Sequence, residues 1–167
     1  MRNLVVWFFI GPIGFGFSSC EKSKNDRFVF NQTELINKAD GNIPPCLECL
    51  NKIVIFHDFS NSGFFAFSSR FIDWNSFKQD FPKVGVITYL SGQDKIEAIN
   101  GMKEVNFPYE VYFDSTFTFY ETNIILQQFP FEGKHHQVYF VKGDQILDYG
   151  NFGMVDVFFK DLYKFFY

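Results

Sequence analysis

Cys46 and Cys49 stand in the stretch Cys46-Leu47-Glu48-Cys49 and are the side chains of this 167-residue chain best suited to chemistry. A C-x-x-C spacing lets one sulfur attack a disulfide while the other resolves the mixed intermediate. The same spacing suits a small, reducible structural bridge, or half of a site for zinc or copper(I). Pro45 fits the first position of a short helical turn, which would set Cys46 near a helix N-terminus and favour its thiolate. A metal needs two further donors, and His57, His135 and His136 are the imidazoles on hand. Adjacent strand residues point to opposite faces, so His135 and His136 cannot both reach one site. Leu50 follows Cys49 where a haem attachment would need histidine. Asp58 and Ser60 lie beside His57, but residues so close along one strand and turn rarely converge in triad geometry, and no nucleophile-elbow sequence surrounds the serine.

The elements that must hold these residues alternate in type. Lys52–Phe59 begins with an unbroken apolar run, as a strand buried on both faces would, and Lys83–Leu90 reads the same way. Between them Phe64, Phe67, Phe71, Trp74 and Phe77 recur at helical spacing, which predicts a helix within 63–81 that ends before Pro82. Gln93–Val105 reads as an amphipathic helix, Glu110–Phe113 as a third strand and Asn123–Phe129 as a short helix. His136–Val141 and Gln145–Tyr149 form a hairpin about Lys142-Gly143-Asp144, and Met154–Phe166 a closing helix. Phe28–Phe30 reads as a short strand, and 31–42 as a polar stretch of weak helical character. Parallel crossovers that end in an antiparallel hairpin make this an α/β chain with a central mixed sheet.

The N-terminus carries a different signal. Arg2 precedes an apolar run of 14 residues, Leu4–Phe17, too short for the roughly 20 residues a spanning helix needs but suited to an export signal. Phe17-Ser18-Ser19-Cys20 resembles the bacterial lipobox, although Phe17 replaces the usual leucine and Gly11-Pro12 interrupts the run. The expectation is a signal peptide over 1–19, a mature chain beginning at a diacylated, palmitate-bearing Cys20, a polar tether over 20–32 and one domain over 33–167. Two or more acyl chains anchor a protein firmly to a membrane where one does not. Loss of 1–19 leaves 14 basic against 19 acidic side chains, with no basic stripe for a nucleic-acid backbone. The 26 phenylalanines are spread along the chain and serve as core-building material rather than a ligand motif.

From about residue 50 onward the order of elements resembles the thioredoxin-like fold, most closely the TlpA-like and peroxiredoxin-like lipoproteins of bacterial envelopes. Ile53–Phe59 resembles the strand that leads into the redox loop. Phe107-Pro108-Tyr109-Glu110-Val111-Tyr112-Phe113-Asp114 resembles the family's "FPV…D" strand, and His136-Gln137-Val138-Tyr139-Phe140-Val141 its "PTTFLI" strand. Asn123 falls where an asparagine often precedes the penultimate strand. The resemblance implies a three-layer sandwich of helices on a central mixed sheet. It also exposes a departure: Asn61-Ser62-Gly63-Phe64 stands where the family carries its catalytic C-x-x-C, and His136 where it carries a cis-proline. Thiol–disulfide exchange at that loop is excluded, since no side chain there can form a mixed disulfide.

Three functions remain open to the sequence. The first is a lipid-anchored protein of the cell envelope, periplasmic or surface-facing, whose domain binds an envelope protein partner without catalysis. The second is an envelope thiol–disulfide oxidoreductase acting through Cys46 and Cys49. The third is a copper- or zinc-handling protein. No cofactor is expected.

Overall fold

The computed structural model describes residues 27–38, 46–60, 72–129 and 135–167. Its strands are β1 (Glu34–Asn37), β2 (Asn51–Asp58), β3 (Val84–Ser91), β4 (Glu110–Asp114), β5 (His136–Lys142) and β6 (Gln145–Gly150). Its helices are α1 (Trp74–Asp80), α2 (Lys95–Glu104), α3 (Thr118–Thr122), α4 (Ile124–Gln127) and α5 (Val155–Phe166), with a 3-10 turn at Cys46–Glu48. The six strands form one sheet in the order β1-β4-β3-β2-β5-β6. β2, β3 and β4 run parallel, while β1, β5 and β6 pair antiparallel to their neighbours.

Strand alternation sorts the core into two halves. Ile53, Ile55, Val86, Leu90, Val111, Phe113, Val138 and Phe140 point to one face, where Phe77 of α1, Ala98 and Met102 of α2, and Phe158 and Leu162 of α5 cover them. Val54, Phe56, Ile87, Tyr89, Tyr112, Tyr139 and Val141 point to the other, under Phe119 of α3 and Leu126 of α4. Because both faces are covered, β2 and β3 read in the sequence as apolar runs rather than alternating ones. Local chemistry sets the helix starts. The Asp73 carboxylate accepts the Asn75 and Ser76 N–H groups, and Asp94 accepts that of Glu97. The expected three-layer sandwich is the arrangement found, and the predicted strands at Ile53–Phe56, Val84–Thr88, Val138–Val141 and Ile146–Asp148 lie in its sheet. Of the helix expected within 63–81, Trp74–Asp80 is helical, while 61–71 fall outside the described residues.

The N-terminal segment departs from expectation. Phe28–Phe30 is not a strand, and the polar stretch that follows supplies β1, which pairs with β4 at the sheet border. Nor is this segment a loose tether up to residue 32. Phe28 is 3% exposed, packed on Phe119 and Tyr139, so the folded part begins by Arg27, ahead of the boundary expected at residue 33. Arg27 pairs with Asp144, and the Phe28 N–H donates to the Asp144 carbonyl at 2.8 Å. Asn123 then grips the strap from both sides of one residue. Its Oδ1 accepts the Val29 N–H at 2.8 Å, and its Nδ2 donates to the Val29 carbonyl at 3.1 Å. The Tyr89 hydroxyl donates to the Asn31 carbonyl. The chain thus crosses one face of the sheet, from β6 to the opposite border.

Candidate functional site

Both sulfurs of the C-x-x-C rest on β3 at Gly85. A Cβ added to Gly85 would lie 1.7 Å from Cys46 Sγ and 2.7 Å from Cys49 Sγ, so only glycine leaves room for the pair. The 3-10 turn begins at Cys46, and its first N–H donates to Glu110 Oε2 at 2.9 Å. Cys49 follows the turn, with its N–H on the Cys46 carbonyl. The thiols are free rather than joined. Cys46 is 1% exposed, whereas Cys49 is half-buried.

Charge around the pair separates its two members. Hydrogen bonding with Cys49 and then burial push the Cys46 thiol well above its ordinary value, so Cys46 keeps its proton. Cys49 is shifted the other way: the Cys46 thiol hydrogen-bonds to its sulfur, and the Lys52 ammonium adds attraction, together outweighing burial. Lys52 is itself 1% exposed, and its Nζ donates to the Leu47 carbonyl at 2.6 Å and lies 4.6 Å from the centre of the Phe30 ring. Burial lowers the Lys52 pKa. Two features of this end went unnoticed in the sequence: Lys52 as a buried cation, and Gly85 as the floor of the niche. A glycine inside an apolar strand run is itself a signal of close approach.

The opposite end of the strands holds the histidines. Lys52 is in register with Gly85, and Asp58 lies six residues further along β2, about 20 Å at roughly 3.3 Å per residue. There His57 is in register with His136, and their rings meet edge-on at 5.3 Å. Burial, and then the charge His57 would carry, pushes the His136 pKa down to about 4. His135 faces the other way, with Nδ1 at 3.1 Å from Asp58 Oδ2, as strand alternation requires. Asp58 also accepts the Ser60 N–H, while His57 points to the other face, so the three do not form a triad. A site of two cysteines and two histidines does not form either, because the histidines lie far along the sheet from the sulfurs. Among the described residues no three His, Cys, Asp or Glu side chains are grouped to hold a metal ion. Asn61, Ser62, Gly63, Phe64 and Cys20 lie outside the described residues. No helix among the described residues is long and apolar enough to cross a membrane.

No family model matches the sequence, and no curated protein does. Solved structures do. A thioredoxin-like protein in its oxidised form is 12% identical over 85% of this chain and 96% of its own, with a TM-score of 0.52. The thioredoxin domain of a thiol-disulfide oxidoreductase from Bacteroides vulgatus is 11% identical over 71% of this chain and 81% of its own, with a TM-score of 0.51. At such identities the likeness is one of fold.

Proposed function

We propose that this chain, with its thioredoxin-like fold, is a lipid-anchored protein of the bacterial envelope whose domain binds a partner and performs no thiol–disulfide exchange at the usual loop. One observation carries the reading: the mature domain's two thiols sit on Gly85, about 20 Å along the strands from the end where β2 runs out toward residues 61–64. The loop that resembles the family's redox site holds Asn61, Ser62, Gly63 and Phe64, none of which can take up a disulfide. The chain therefore keeps the scaffold and the strand ends at which α/β proteins bind ligands, without the nucleophile. The anchor on Cys20 would hold this surface at a membrane, where a neighbouring envelope protein is the fitting partner.

A disulfide-reductase assay on the full chain tests the domain. Wild type is expected to reduce insulin no faster than the Cys46→Ser, Cys49→Ser double variant. Turnover present in wild type and absent from the double variant would overturn the binding reading in favour of an oxidoreductase. The anchor is read by mass spectrometry of the mature N-terminus, which is expected to begin at an acylated Cys20. An unmodified terminus elsewhere would end that part of the proposal.

A further inference from the structure

The two ends of the sheet differ in one respect that the binding role does not use: the Gly85 niche holds a reduced thiol pair of unequal access beside a buried cation. We infer that Cys46 and Cys49 form a redox-responsive site for low-molecular-weight disulfides, in which Cys49 is the attacking residue and Cys46 the resolving one. Geometry sets the order. Cys46 is 1% exposed and lies with its sulfur deepest over Gly85, while Cys49 is half-buried and open to a small molecule. The two sulfurs crowd one point on β3, 1.7 and 2.7 Å from a Cβ placed on Gly85, so closing the pair needs little movement. The Lys52 ammonium, fixed on the Leu47 carbonyl inside the C-x-x-C, supplies the positive charge that a thiolate at Cys49 requires. Because Cys49 is half-buried rather than fully exposed, a small disulfide reaches it more readily than one held rigidly in a folded protein, which favours small partners.

The Cys49 thiolate attacks one sulfur of the disulfide RSSR, a Cys49–S–S–R bond forms and RS⁻ departs. Cys46 sulfur then attacks Cys49 sulfur, and the second RS group leaves with the proton from Cys46 as RSH. Two electrons pass from the protein to the small disulfide, and the protein ends with a Cys46–Cys49 bond.

Oxidised glutathione is the probe, used on the full chain with Cys20→Ser so that only the two thiols remain. The pair is expected to close, leaving a product two hydrogens lighter with no lasting adduct. Adding Cys46→Ser should trap one glutathionyl group on Cys49. Adding Cys49→Ser instead should slow adduct formation about tenfold or more, the margin expected between an accessible thiolate and a buried thiol. Limiting iodoacetamide on the unaltered pair, followed by peptide mapping, needs no change at either cysteine and should label Cys49 over Cys46 by about the same factor. Labelling that is equal or reversed, or thiols that persist in excess oxidised glutathione, would overturn the inference. That failure is separable from the binding reading, which falls only on catalytic turnover of a protein disulfide.

Discussion

The N-terminal and C-terminal ends of the parallel strands bury polar groups by different means. Near the start of β2, Lys52, Glu110 and two thiols gather about the 3-10 turn: the Lys52 ammonium bonds to the Leu47 carbonyl, the Cys46 N–H to Glu110, and both sulfurs rest on Gly85. At the far end, His57 and His136 sit among rings, stacked or tilted against Phe59 and Phe152, and His136 stays neutral because burial disfavours its charge. At the first end charge and hydrogen bonds hold the thiols; at the second, aromatic packing holds the two buried histidines, beside the hydrogen-bonded carboxylates of Asp58 and Asp114. The first can change state with the redox poise of its surroundings, and the second with pH.

Gly85→Ala should break the first end most severely. The added methyl overlaps both sulfurs, and overpacking of this kind costs about 2 kcal/mol or more. Urea denaturation should show the loss, and Cys46 should become open to alkylation. An unchanged midpoint with Cys46 still protected would mean that the thiols do not rest on β3.

The second end is read through pH. An unfolded His136 takes up a proton near its ordinary 6.5, whereas in the folded protein it does so only at about 4. Stability contributed by the neutral ring is therefore intact above about pH 6.5 and lost progressively as pH falls toward 4, since the unfolded chain binds more protons across that window. His136→Gln should flatten the fall in denaturation midpoint over this range. Identical slopes for variant and wild type would remove His136 as the cause.

The smallest effect is expected from Lys52→Met, which keeps the stem over Phe30 but deletes the ammonium. Cys49 should alkylate about threefold more slowly at neutral pH as its thiolate loses the nearby cation. An unchanged rate would leave the Cys46 hydrogen bond as the whole reason for Cys49's reactivity.

The central strands were readable because their burial on both faces leaves a plain mark, unbroken apolar runs at Ile53–Phe56 and Val84–Ile87. β1 left no such mark. Glu34 and Leu35 are exposed, and the strand exists because β4 offers it a bonding edge, a long-range fact that local propensity does not contain. The C-x-x-C was visible as a motif, but its place was not: whether such a turn lies beside the redox loop or at the other end depends on which strand carries the glycine that admits two sulfurs. Asn123 likewise reads as a helix-flanking residue, and its two hydrogen bonds to Val29 appear only once a segment 94 positions away folds over it.

That strap has a mechanical consequence. A chain held to a membrane at Cys20 would receive any pull through Arg27, at the β6 side, and the load would run across the strands rather than along them. The Arg27–Asp144 pair and the Phe28 bond to Asp144 take the strain first, then the clasp of Asn123 on Val29, and the ladder of β1 with β4 last. Tension is met in stages, each stage yielding before the parallel centre of the sheet is touched. Phe30 lies within the strap and covers Lys52, so a partial peel would bare the cation beside the thiols while the domain stayed folded.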